Sequence, residues 1–329
     1  MPAETLESAQ SDSHLAEELL ATIAQRHRAW QGAVERLRSL RRLPGRKGVC
    51  ALHETIAAAR PALFAGLHRA LGGTTLVILP TPDAAERAFA DLLYYLGAHR
   101  DTVSLLRSRD EALGAIESPS ERSARLALLA DLADGAPRLV LAPVAAARQH
   151  FTPRADFEAL RFVVREGDDA GWERLQERLF RLGYARCDVV SAVGEYAVRG
   201  GIIDLFAATA ETPVRIEFFG DAIESMRAFA IESQRSSAAV DSLAIAPWAD
   251  RLDAEATLFD YLPDEAIVVL DEPATIASVA NALDEERDRE RHTLFAGDRS
   301  DDTLLEETAP RASLDDLGAM IAQHAVLTL

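Results

Sequence analysis

Apolar positions follow two rhythms along this chain. Between residues 13 and 42, Leu15, Leu19, Leu20, Ile23 and Trp30 fall near helical spacing and the run closes on RRLPG, which predicts a helix. The short apolar run GVCAL (48–52) predicts a strand. A long helical pattern covers 56–71, with Pro61 near its start, where proline is tolerated, and Gly72-Gly73 at its end. TTLVILP (74–80) is an unbroken β-rich run, the pattern of a parallel strand buried on both faces. Thr81-Pro82-Asp83 opens a helix over 83–96 that stops at Gly97. RLVLAP (138–143) repeats the buried-strand pattern, and a short helix follows.

Strands alternating with helices predict a doubly wound α/β layer. Between about 160 and 240 the rhythm changes. A helix over 171–182 is followed by short strands with no helices between them, as in an α+β domain. From about 245 alternation returns, with a helical stretch, the strand AIVVLDEP (266–273), a helix over 274–292 and a last strand-like run, HAVLTL (324–329). The segment 294–310 is acidic and reads as a mobile loop. The expected architecture is a helical extension (1–44) and an α/β domain in two halves, 45–160 and 245–329. A small α+β domain, 161–244, is inserted between them. A chain stopping on a bare apolar strand is expected to be a segment of a longer polypeptide.

Charge narrows the functional classes. The 329 residues carry 35 Lys+Arg against 53 Asp+Glu, a formal net charge of −18, which disfavours binding of a phosphate backbone by this segment. Cys50 and Cys187 fit no metal or redox spacing, and His53, His68 and His150 have no i, i+4 partner. No run approaches the roughly 20 apolar residues of a membrane span, and the N-terminus lacks a signal segment. A cytoplasmic protein without membrane contact is the expectation.

The most informative stretch is GEYAVRGGIIDLFA (194–207) followed by VRIEFFGDAIESMRAF (214–229). Gly220-Asp221 is a two-residue hairpin signal of type II′, and the whole reads as a three-stranded meander. Alternation puts Val214, Ile216 and Phe218 on one face and Arg215, Glu217 and Phe219 on the other. Gly200-Gly201 reads as a flexible pair or bulge, so the face of Arg199 stays open. Alternation alone leaves two readings of these side chains. Arg199 and Arg215 are surface charges balancing Asp204 and Glu217, with Phe219 packed on the helix at 171–182. Or they are the Arg and aromatic anchors of an interface.

The order of these blocks, continued by Gln234-Arg235-Ser236, resembles the UvrB-like module of bacterial transcription-repair coupling factors. Their pattern runs G-E-(F/Y)-x-x-R-G-G-(I/L)-(I/L)-D, then R-(I/L)-(E/D)-(L/F)-F-x-(D/E), then Q-R-S. DYLPDEAIVVLDEP (260–273) matches a second block, and the similarity runs from about residue 45 to the end, with UvrB itself the next relative. The resemblance implies that the inserted domain binds UvrA through Arg199, Arg215 and Phe219. It implies a parent protein that is an ATP-driven DNA translocase acting on stalled RNA polymerase, with polymerase, DNA, ATP and Mg²⁺ bound by parts C-terminal to this chain.

The α/β halves resemble a degenerate P-loop NTPase. LDEP (270–273) follows an apolar strand as a Walker B acid pair would, yet no GxxxxGK[ST] exists in the chain. The position where a phosphate loop belongs reads HETIAAARP (53–61), without glycine or lysine, and Pro273-Ala274 follow the acid pair. The emptied site is therefore expected at Thr55, Ala59, Arg60, Asp271 and Glu272, with no cofactor and no catalysis in this segment. The tyrosines Tyr94, Tyr95, Tyr184, Tyr196 and Tyr261 form no cluster like the DNA-probing hairpin of UvrB. The rival reading is a nucleotide hydrolase with an atypical phosphate loop.

Overall fold

The structure, a computed structural model, describes residues 20, 22, 26–45, 47–109, 117–249, 255–296 and 311–329. The chain divides into two compact units. One comprises Met1–Ala115, Asp134–His150 and Thr257–Leu329, the other Ile116–Ala133 and Phe151–Ala256.

The first unit is built on the apolar runs. Its strands are β1 (Val49–Ala51), β2 (Thr75–Leu79), β3 (Val103–Leu105), β4 (Leu139–Pro143) and, after the eight strands of the second unit, β13 (Ile267–Leu270) and β14 (Ala325–Thr328). They form one sheet in the order β1-β14-β13-β2-β4-β3, parallel throughout. Every residue of β2 and β4 is buried, as their unbroken apolar sequences require of central parallel strands. Val77, Leu79, Leu141, Val269 and Leu327 pack with Leu37, Phe64, Leu67 and Leu92 of the flanking helices Arg28–Arg41, Arg60–Leu71 and Pro82–Leu96. Leu76, Ile78, Val140 and Val268, of opposite parity, are buried as well. Each such side chain contributes about 1.5–3 kcal/mol by leaving water.

Local chemistry sets the helix starts. Thr81 accepts a hydrogen bond from the Ala84 amide at 3.2 Å and caps the helix that begins at Pro82. His27 accepts from the Trp30 amide through Nδ1 at 3.2 Å, so a helix begins at Arg28 and the single run expected over 13–42 is interrupted there. Leu15, Leu19 and Ile23 lie outside the described residues, as does the expected acidic loop beyond residue 296. Over 56–71, a 3₁₀ turn at Ala57–Ala59 precedes the helix, which starts at Arg60 with Pro61 in its first turn. The helical stretch expected after 245 is a single 3₁₀ turn, Leu258–Tyr261. β3 and the helix Pro119–Ala133 have no counterpart in the sequence reading.

In the second unit, β5 (Phe162–Arg165) pairs antiparallel with β12 (Ser242–Ile245). The other strands are β6 (Ala185–Cys187), β7 (Glu195–Arg199), β8 (Ile202–Leu205), β9 (Val214–Phe219), β10 (Ala222–Phe229) and β11 (Ser236–Ala239). They form a six-stranded sheet in the order β11-β10-β9-β8-β7-β6, in which the β6–β7 pair is parallel and the others antiparallel. Ile203, Val214, Ile216 and Met226 are buried, as are Leu175 and Leu179, one turn apart on the helix Trp172–Arg181. Among the described residues no helix is long and apolar enough to cross a membrane.

Two buried histidines tie the first unit to pH. His68 and His324 are nearly inaccessible, and their Nδ1 atoms have no hydrogen-bond partner among the described residues. Burial lowers both pKa values, helped by His99 beside His68 and Lys47 beside His324. The fold thus holds both rings neutral, whereas the unfolded chain protonates them below about pH 6.5. Stability is undiminished above that pH and falls as the pH drops from it towards the lowered folded values. Urea unfolding between about pH 7 and 5 should show this decline, and His68→Gln combined with His324→Gln should flatten it.

Candidate functional site

The register of the second sheet settles which side chains share a face. Arg199 pairs with Ile202, Ile202 with Glu217, and Asp204 with Arg215. Directly opposed residues point the same way, so Arg199 lies on the face of Arg215, Glu217 and Phe219. Gly200-Gly201 is no bulge. It closes a hairpin between β7 and β8, with Gly200 at φ 58°, so the expected three-stranded meander has four strands. The next hairpin turns at Gly220, φ 63°, while Asp221 keeps negative φ, as a type II′ turn requires.

Phe219 ends β9 at this turn with 80% of its surface exposed. Arg199 is exposed, its Nη2 donating to the Asp188 carbonyl at 3.2 Å. Arg215 is different. Its side chain is 17% exposed, and its guanidinium grips Asp204 with Nε–Oδ1 at 2.7 Å and Nη2–Oδ2 at 2.9 Å. Its Nη1 donates to the Gln234 carbonyl and the Ser236 hydroxyl, and the cation lies 5.0 Å from the Phe229 ring centre. The bonds to Asp204 raise the Arg215 pKa further, against the opposing effect of burial. Glu217 is held by the Ser225 hydroxyl at 2.9 Å.

The second place marked by sequence lies at the carboxyl ends of β2 and β13. These neighbours send their outgoing chains to opposite sides, the position where open α/β sheets form a crevice. A cavity of about 440 Å³ opens there, lined by Ala57, Ala58, Arg60, Phe64, Thr81, Asp271 and Glu272 among others. Thr55 and Ala59 do not line it. Arg60 Nη1 lies 2.7 Å from both Asp271 Oδ1 and Glu272 Oε1. Burial pushes the Asp271 carboxyl up despite the arginine. Glu272, more exposed, is pushed down by its hydrogen bond to the same nitrogen. Among the described residues no cluster of three or more His, Cys, Asp or Glu is placed to hold a metal ion.

Residues 162–250 match the family model described as the UvrB interaction domain. That segment, about a quarter of the chain, is similar to the UvrB interaction domain. Beyond it, the chain is similar to proteins named transcription-repair-coupling factor. It is 40% identical to that of Bacillus subtilis over 40% of this chain, and 36% identical to that of Myxococcus xanthus over 58%. The Staphylococcus aureus protein is 33% identical over 61% of the chain. The matches span 11%, 16% and 17% of these three relatives' lengths.

Within the matched segment, several motif residues are scaffolding. Gly194 sits at φ 89° under the Trp248 indole, where a Cβ would come within 2.3 Å of the ring. Glu195 is half-buried, which raises its carboxyl, but amide bonds from Ser191 at 2.8 Å and Ala192 at 2.9 Å bring it below its usual value. Gln234 adopts φ 56° and pins its turn by donating to the Val190 and Ile231 carbonyls. Of the three proposed anchors, Phe219 and Arg199 are presented to solvent, whereas Arg215 is largely spent on Asp204. Sequence reasoning named Asp204 only as a charge to be balanced. The signal for more was its place in β8, where an acid on a short apolar strand must find a cation. Asp204→Asn should leave Arg215 without its countercharge and cost about 1.5–3 kcal/mol in urea unfolding.

Proposed function

We propose that the second unit is a docking module for UvrA and that the chain is the UvrA-recruiting part of a transcription-repair coupling factor. The observation that carries this is Phe219. A large aromatic ring at a hairpin tip is left 80% exposed, on one face with Arg199, which has no ion-pair partner among the described residues, inside a segment that matches the UvrB interaction domain. Aromatic and arginine side chains are those most enriched among interface hot spots. By the same reading, recruitment serves a parent protein that acts on RNA polymerase stalled at DNA lesions, with polymerase, DNA, ATP and Mg²⁺ engaged outside this chain. Net charge −18 supports little DNA binding by this segment.

The first unit, on this view, is a nucleotide-binding type of domain that takes no nucleotide, interrupted in sequence by the docking module. Arg60 supports that reading. Its guanidinium occupies the acid pair that a Mg²⁺ ion would need, and Ala57 and Ala58 stand where glycines would wrap a phosphate.

Two measurements test the proposal. Phe219→Ala should weaken UvrA binding by about 30-fold, the equivalent of about 2 kcal/mol, while leaving the melting temperature unchanged because the ring is exposed. Arg199→Glu should weaken binding too. Arg215→Glu is a poor probe, since it would set two carboxylates face to face with Asp204 and disturb the fold. Equal affinity of wild type and Phe219→Ala for UvrA would overturn the docking face. Separately, calorimetric titration with ATP and Mg²⁺ should show no saturable binding, and binding at millimolar or tighter levels would favour a hydrolase instead.

A further inference from the structure

The sheet register sets a second arginine directly across from Arg215. Arg227 of β10 is its Cα partner in the antiparallel β9–β10 pair. It therefore shares the face of Arg199, Arg215 and Phe219. Like charges directly opposed across a strand pair are unfavourable, and among the described residues no carboxylate forms an ion pair with Arg227. Asp204 is taken by Arg215, and Glu217 by the Ser225 hydroxyl. On its other side Arg227 faces Ala239 of β11. Its side chain is exposed and has no hydrogen-bond or ion-pair partner among the described residues. In a chain with 53 acidic residues against 35 basic ones, a counterion would be easy to supply.

We propose that Arg227 is a further docking residue, which with Arg199 presents two unspent cations to carboxylates on the UvrA surface. The two arginines flank the neutral Asp204–Arg215 pair, roughly 15 Å apart across three strand spacings and one step along the sheet. This inference rests on the docking reading above and adds the chemistry of the partner surface, acidic around an apolar notch for Phe219. Exposed charges at an interface rim act mainly on the association rate.

The test uses the 329-residue chain and purified UvrA, with Phe219→Ala alongside. Arg227→Glu should slow association about three- to tenfold at low ionic strength. The difference should vanish near 1 M salt, where the screening length shrinks to about 3 Å. Arg227→Lys, which keeps the charge, should stay within about twofold of wild type. Arg227→Glu should melt no lower than wild type, because an acid would now face Arg215. If Arg227→Glu binds normally at low salt while Phe219→Ala is impaired, Arg227 is not a contact and the docking face stands. If both bind normally, the docking reading fails and this one with it. Slow association that persists at high salt, or a lowered melting temperature, would mean that Arg227 serves the fold, and would overturn the inference.

Discussion

The bond between Asp204 and Arg215 organises the sheet of the second unit. Asp204 is 1% exposed, and a carboxylate that deep costs several kcal/mol unless a cation meets it. Arg215 meets it with two parallel hydrogen bonds across the β8–β9 pair, fixing the register of the strand that ends in Phe219. A slip of one residue would turn Arg215 to the core face and leave Asp204 alone. The Gln234 turn closes over the same guanidinium. The exposed ring at the hairpin tip is thus held by a buried charge pair about 13 Å away, four residues along the strand.

The first unit solves a similar problem with the same chemistry. Asp271 and Glu272 follow directly after β13, and Asp271 is mostly out of water. In a working nucleotide site a bound cation would offset such a pair. Here Arg60, at the first position of its helix, supplies the countercharge from within the chain. The two carboxylates thus share one guanidinium nitrogen, each 2.7 Å from it.

Much of this was legible in the sequence, for reasons that name their own limits. Central strands such as Thr75–Leu79 and Leu139–Pro143 announce themselves because burial on both faces makes them apolar nearly throughout, with Thr75 the one polar side chain. The edge strand Val103–Leu105 does not, being three residues long with Ser104 at its centre. Alternation assigned the faces of β9 but could not cross Gly200-Gly201, since glycine accepts either a bulge or a turn. Only strand pairing put Arg199 beside its companions. The break at His27 was hidden because an imidazole cap is a rarer signal than Ser, Thr or Asp.

What the sequence could not distinguish was one arginine from another. A guanidinium carries five N–H donors, and its role depends on how many the fold has already used. Arg215 makes four hydrogen bonds to Asp204, Gln234 and Ser236. Arg60 bonds two acids through Nη1 alone, and its buried Nε has no partner among the described residues. Arg199 gives one bond to a backbone carbonyl, and Arg227 gives none among the described residues. Desolvating a saturated arginine at an interface brings little new bonding, whereas an unsaturated one has its donors ready for a carboxylate. Capacity to recognise a partner therefore rises in the reverse order of how firmly the fold holds each side chain. The residue types that mark this domain in sequence divide accordingly, into those that build the sheet and those the sheet displays.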